Sequence, residues 1–490
     1  MRDSRQPDST HGPGHDPGRE PWTRRRAIGT GGAIIGGGLA ASLWPASAHA
    51  STDPWKYADK IRRRVRAPRF PRHDFTITRF GAVGDGVTDC SPAFAAAISA
   101  CARHRGGRVV VPPGRYLTGP IHLKSHVNLH VSEGATIAFS TDPAKYLPVV
   151  FSRYEGIEYY NYSPLVYALG ARNIAITGTG TLDGQASNTA WWPWSGNTAF
   201  GWQPGQPNQT ADRTALQAMG EAGTPVAERV FGAGHYLRPN MIGLYYCRDL
   251  LIEGVTITNS PMWHIHPVLS RSVLVHDVTV IGHGPNNDGC DPESSTDVVI
   301  TGTSFNTGDD CIAIKAGRNA DGRRVNVPSQ NILVEDCDFE DGHGGLTIGS
   351  EMTGGVSNVF GQNLRMSSPN LNTALRMKTN SLRGGYIHDV HLRDTEVGQL
   401  AVSAFQIDFY YEDGPGHGFN PDVHAIDVQN LHVDTAKQVF DLRGYPDDPI
   451  RDVALSHCAF DHVESVGRTE EVEGLVLTDV TVNGRPIDTG

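Results

Sequence analysis

Long apolar runs are missing from this sequence. The longest candidate, Gly29 to Trp44, is too short and too glycine-rich for a span of ~20 apolar residues, so no membrane partner is expected. Paired cysteines are missing too. The seven cysteines (Cys90, Cys101, Cys247, Cys290, Cys311, Cys337 and Cys458) are odd in number, and none falls in a CxxC or Cys/His spacing. That removes the usual reason to expect zinc. They are expected to sit in a packed interior as small apolar residues. Positive charge is in deficit: 42 Lys and Arg face 53 Asp and Glu, for a net −11. A general nucleic-acid binder needs the opposite balance. A polyanionic ligand would have to be drawn by a local basic cluster rather than by net charge.

Glycine is abundant, at 56 residues, beside 39% apolar and 8% aromatic residues; this leans towards a turn-rich β protein. Residues 1–22 are rich in Pro, Gly, Asp and His and read as disordered. Arg24-Arg25-Arg26 then precedes the Gly/Ala-rich run, which ends in Ala48-His49-Ala50. This resembles a twin-arginine export signal cleaved before Ser51, so the protein is expected to be secreted. Without residues 1–50, which hold six arginines and four acids, the net charge is −13. Residues 51–73 form a basic, proline-bearing arm, and the domain proper runs over 74–490.

Phe75–Thr78 alternates as a strand, and Ser91-Pro92 offers an N-cap with proline at the first helical position. The following AFAAAISACA, 93–102, reads as a helix suited to capping the end of a solenoid. The chain then repeats. CRDLLIEGVTIT starts at 247, SRSVLVHDVTVI at 270, STDVVITGTSFN at 295, SQNILVEDCDFE at 329 and VSNVFGQNLRMS at 356, with spacings of 23, 25, 34 and 27. Each has a polar third residue (Asp249, Ser272, Asp297, Asn331, Asn358), an alternating strand, a break and a second short strand. One β unit per period of this length points to an all-β, single-stranded, right-handed parallel β-helix. A propeller blade needs about 40 residues and four strands.

The repeats place side chains. Asp309 lies 12 residues beyond Asp297, and His343 12 beyond Asn331, so the two should stack on successive coils ~5 Å apart. Aligning WHIH (263–266), GCD (289–291), AIK (313–315), TIG (347–349) and RMK (376–378) points Ile265, Cys290, Ile314, Ile348 and Met377 inward. Residues two apart share a face. His264, His266, Asp291, Lys315, Arg376 and Lys378 should then line one outer face. A tryptophan-rich insertion at 185–246 (Trp191, Trp192, Trp194, Trp202) breaks the rhythm; it either covers an apolar flank or walls off one end of a groove.

Asp288, Asp309 and Asp310 supply what cleavage of a glycosidic bond requires: an acid for the leaving oxygen and a carboxylate opposite. Carboxylates on neighbouring coils repel, so at least one should hold a proton. His343 could tune that proton or hold a sugar hydroxyl. Arg376 and Lys378 suit a substrate carboxylate, which suggests a uronic acid. The residues alone do not divide roles among the three aspartates.

Asn286-Asn287-Asp288, Gly308-Asp309-Asp310, Gly342-His343-Gly344 and Arg376-Met377-Lys378 occur in that order. Together they resemble the polygalacturonases of glycoside hydrolase family 28, with Asn287 and Met377 as departures from Thr and Ile. The likeness covers about 74–490 and includes FGAVGDGVTD at 80–89. It implies metal-free, inverting hydrolysis of α-1,4-galacturonosidic bonds, with Asp309 as general acid and Asp288 and Asp310 holding water. In that reading His343 assists the acid, and Arg376 and Lys378, with Asn286, Lys315, His264 and His266 nearby, bind the sugar acid. An inverting pair should stand ~6.5–9.5 Å apart. Tyr410 or Tyr411 could stack on a sugar. SEMTGGVSNV at 350–359, the Thr379-Asn380 after LRMK and the tryptophan-rich insertion look most like the bacterial exo-acting branch. The expected partner is acidic plant cell-wall galacturonan or its oligomers, acted on by a monomer. Rhamnogalacturonan and xylogalacturonan are alternative substrates. A calcium-dependent pectate lyase is the rival enzyme, and a solenoid that only binds polysaccharide is the rival without chemistry.

Overall fold

The computed structural model describes residues 53–488; the leader read from residues 1–50 lies outside them. The chain winds as a right-handed parallel β-helix with three strand faces per coil. On the first face, Arg172–Gly178, Arg248–Glu253, Arg271–His276, Thr296–Thr301, Ser329–Glu335 and Val356–Gln362 pair in parallel, each with the next. Thr256–Thr258, Thr279–Gly282, Ser304–Thr307 and Asp338–Asp341 make the short second face. Ile242–Tyr245, Ile265–Val268, Ile312–Ile314, Gly344–Gly349, Thr373–Lys378 and Ser403–Asp408 belong to the third. Towards the C-terminal end the faces join into long strands such as Asp422–Arg443.

The polar third residue of each repeat has a backbone cause. Asp249, Ser272, Asp297, Asn331 and Asn358 all adopt φ between 54 and 59°, a left-handed corner that short polar side chains tolerate best. The corners also bond to each other: Asn331 Nδ2 donates to Asp297 Oδ1 at 3.0 Å and Asn358 Nδ2 to Asn331 Oδ1 at 3.3 Å. Inside, apolar residues stack coil upon coil, as Phe305 does on Phe339 at 5.6 Å. All seven cysteines are free thiols buried in this interior.

Details depart from the sequence reading. Helix α1, Trp55–Arg64, forms within the arm and buries Trp55, Ala58 and Ile61 against Val299, Leu333 and Phe360. Helix α2 runs from Ser91 to Arg103, so Ser91 is its first helical residue and Cys90 its cap; Asp89 Oδ1 accepts from Ser91 N at 2.9 Å. Ser91 Oγ instead accepts from Gly119 N at 2.7 Å. The insertion carries helix α3, Thr210–Glu221, and ends before 246, since Ile242–Tyr245 is a coil strand. A hairpin, Val150–Tyr154 with Ile157–Asn161, is a second insertion that no periodicity announced. The third-face alignment slips by two residues: Cys290 pairs with Ile312, not Ile314. A slip of two keeps every side chain on its face, so Ile314, Ile348 and Met377 still point inward. Asp291, however, shares its row with Arg376, and Lys315 shares one with Lys378.

Candidate active site

Asp309 and Asp310 are adjacent on a chain that alternates sides, so they serve different surroundings. Asp309, its side chain 24% exposed, meets His343 on the next coil, with Nδ1 to Oδ1 at 3.2 Å. Their backbones are in register, His343 N donating to the Asp309 carbonyl at 3.0 Å. Asp310 is fully buried. Lys378 Nζ donates to its Oδ2 at 2.6 Å and Arg376 Nη1 to its Oδ1 at 3.3 Å. Gly344 makes room: a methyl group there would stand 2.2 Å from Thr347 Oγ1 and 2.7 Å from Asp310 Oδ1.

Asp288 arrives on the turn before Cys290. Asn287 anchors that turn, its amide donating to the carbonyls of Ser260 and Met262 and accepting from Gly284 N. An asparagine at this place therefore makes contacts of its own. Trp192 from the insertion packs its ring on Gly284 and donates to the Ser260 carbonyl at 2.9 Å. One carboxylate oxygen each of Asp288, Asp309 and Asp310 lies within 4.8 Å of the others, so the three form one cluster.

Burial raises Asp288 to about 7, with the charge of Asp309 adding to the effect and Lys315 opposing it. Burial works against ionised Asp310 as well, but Lys378 and Arg376 outweigh it and hold this carboxyl well below the usual range. The hydrogen bond to Asp309 lifts His343 above its ordinary value, against burial. Burial therefore favours a proton on Asp288, in line with the expectation that the carboxylate cluster holds one.

Lys315 occupies the floor. Its Nζ is 3.5 Å from Asp288, 3.5 Å from Asp291 and 3.3 Å from Glu351, and 4.4 Å from the centre of the Trp263 ring. Asp291 is fully buried, and neither of its oxygens has a hydrogen-bond partner. Burial first, and then Asp288, push it well above the normal carboxylate range. Lys315, Arg376 and Lys378 thus supply cations to the carboxylate cluster. A calcium ion takes six to eight oxygens, and here the counter-charge is already supplied by side chains.

Not every expected residue lines this surface. His264 and His266 lie in the expected rows but are fully buried. The Nδ1–H of His264 donates to the Asp288 carbonyl at 2.8 Å, and burial lowers its pKa to about 4. His266 Nε2 meets Glu293 at 2.8 Å. His266 is also bonded by Asn240 of the insertion, while Arg153 of the hairpin holds Glu293. Asn286 accepts from Arg238 Nη2 at 2.6 Å, which ties it to the insertion. Lys378 is nearly enclosed, whereas Arg376 is more open and also donates through Nε to Gln406 at 2.8 Å. Tyr411 lies with its ring 5.4 Å from Lys378 Nζ, and Tyr410 under Arg443.

Sequence reasoning missed Glu351, Gln406 and a charged wall beside them. Glu351 bridges Lys315 and Arg318, each at 3.3 Å. Arg318 also reaches Glu412 at 3.2 Å and Glu155 at the hairpin turn at 3.6 Å. Arg383 meets Glu412 at 2.6 Å, and Arg213 of α3 meets Glu155 at 2.7 Å. Gln406 could have been found by extending the Arg376 row one coil further; the wall had no periodic signal.

The family pattern of glycosyl hydrolases family 28 matches residues 233–441, which hold all four motifs, and that of Rhamnogalacturonase A/epimerase, pectate lyase-like, matches 75–203. A solved exopolygalacturonase from Thermotoga maritima is 47% identical with a TM-score of 0.86, over 88% of this chain and 96% of that one. A Vitis vinifera protein named "Probable polygalacturonase" is 27% identical over 402 residues, 79% of this chain and 74% of the relative. The exo-poly-alpha-D-galacturonosidase of Dickeya chrysanthemi is 28% identical over 358 residues, 69% of this chain and 58% of the relative. With a near-complete relative at this identity and the four motifs gathered on one site, the chain belongs to the glycosyl hydrolases family 28.

Proposed function

We propose that the protein hydrolyses α-1,4-galacturonosidic bonds of polygalacturonate, releasing galacturonate from chain ends. The observation that carries this reading is the carboxylate cluster flanked on one side by Arg376 and Lys378, with the ion pairs of Glu351, Arg318, Arg383 and Glu412 beside them. Asp309, open to solvent beside His343, donates its proton to the leaving oxygen. Asp310, kept ionised by Lys378, and Asp288 hold the water. Arg376 offers its outer nitrogen to the sugar carboxylate. The likeness to the exo-acting relatives supports the same end-on action.

Inversion then gives β-galacturonate first. Digestion of polygalacturonate is expected to yield monomer from the outset, with little early loss of viscosity, and proton NMR should show the β anomer before mutarotation. A ladder of oligomers would overturn the exo reading; the α anomer first would point to a covalent carboxylate ester. An unsaturated product absorbing in the ultraviolet, lost with chelator, would establish the lyase instead.

We also propose that the protein is exported, on the strength of Arg24, Arg25 and Ala48-His49-Ala50. Protein recovered from culture medium should begin at Ser51. Intact chains retained inside the cell would sink this.

A further inference from the structure

Arg172, Arg248 and Arg271 begin three successive strands of the first face, and they are direct partners, Arg172 with Arg248 and Arg248 with Arg271. Rungs of a sheet stand ~4.8 Å apart, and like charges on neighbouring rungs oppose each other. All three side chains are exposed. Elsewhere on this surface exposed arginines have found acids: Arg108 with Asp74, Arg365 with Asp338, Arg451 with Asp422. Among the described residues, no carboxylate lies within 4.0 Å of Arg172, Arg248 or Arg271. The arm adds a fourth cation. Asn173 Nδ2 donates to the Arg69 carbonyl at 3.1 Å, which brings exposed Arg69 alongside Arg172 without a carboxylate of its own. The row then turns neutral at Thr296 and Gln330. On a chain of net charge −11 this is a bounded line of uncompensated positive charge.

We propose that Arg69, Arg172, Arg248 and Arg271 form an ancillary strip that binds a polyuronate chain, on a different face from Asp309. A linear row of guanidinium forks, repeating at about the length of one sugar ring, matches a polymer carrying one carboxylate per sugar. A lipid surface or a compact anion gains nothing from a line. The choice of polygalacturonate rests on the function proposed above, but the strip is tested separately.

The test uses the full chain carrying Asp309→Asn, so that polymer binds without turnover, with saturating galacturonate trimer to fill the catalytic groove. Retardation in gels containing polygalacturonate is compared before and after adding Arg172→Gln, Arg248→Gln and Arg271→Gln together. Binding is expected to weaken about tenfold, as losing several exposed ion pairs implies, and to fade with salt. In the otherwise native enzyme the same triple change should leave kcat/KM on trimer unaltered while raising KM on long polymer. Undiminished retardation of the triple variant overturns the strip and leaves the hydrolase reading standing. So does a loss seen only on phosphatidylglycerol vesicles, which would assign the row to a lipid surface. A chain that cleaves neither trimer nor polymer, yet loses retardation with the triple change, would keep the strip and sink the proposed hydrolysis.

Discussion

Asp309→Asn is expected to lower kcat on galacturonate oligomers by about 10²–10⁴-fold, the usual worth of a general acid, while oligomer binding persists. The amide has no proton to give to the leaving oxygen. The side chain is partly exposed and rests on His343 rather than in the core, so folding should survive. Retention of turnover within tenfold of the native rate would remove Asp309 from the acid role. The pH dependence gives a second reading of the same pair. Asp288 is raised to about 7, so kcat/KM should fall as pH rises through about 7 and the Asp288 proton is lost. Stability follows the same sign. The folded chain carries an extra proton between the unfolded value, ~4, and about 7. The stability this group contributes is complete below ~4 and is lost as pH rises through about 7. In Asp309→Asn the neighbouring charge is gone, Asp288 moves down, and denaturant midpoints measured across this window should vary less with pH.

Lys315→Met should be the most destabilising single change at the site, costing about 3–5 kcal/mol near neutral pH, as removal of one partner from a buried ionic cluster does. Glu351 is held well below the usual range against burial by Lys315 and then Arg318, and without the lysine its charge remains enclosed. Asp288 would lose its nearest cation and bind its proton more tightly. Urea unfolding at several pH values checks this. Because Glu351 has a depressed value, the stability it contributes is lost as pH falls, so the penalty of the substitution should shrink in acid. A loss below about 1 kcal/mol at neutral pH, within the range of an exposed ion pair, would show that the cluster is not held by Lys315. Lys315→Arg is a useful companion: it keeps the charge but crowds Trp263, so stability should recover more than activity.

The parts of this architecture that repeat were legible before any coordinates. The polar third residue marked five successive repeats, and counting from it stacked His343 on Asp309. Strand periodicity of two was forgiving: the third-face alignment slipped by two residues at Cys290, yet Arg376, Lys378 and Lys315 stayed on the outer side. A slip of one would have put them in the core. What did not repeat was not legible. His266 lay on the right row, but Asn240 of the insertion and the Glu293–Arg153 pair from the hairpin enclose it, and neither segment carries a period. Glu351 and Glu412 gain their meaning only from Arg318 and Arg383, partners brought near by loops.

The strands that flank the two insertions pair with each other as though nothing intervened. Val166 sits in register with Ile121 on one side and with Ile242 on the other, although the hairpin lies between Ile121 and Val166 in the chain and α3 lies between Val166 and Ile242. The entropy of closing a longer loop grows only slowly with its length. The register of the coil is thus independent of the segments spliced into it. Descent could trim, lengthen or exchange those segments without retuning the chemistry, so that neighbouring members of one lineage can share a reaction centre and differ in where along a polymer they cut.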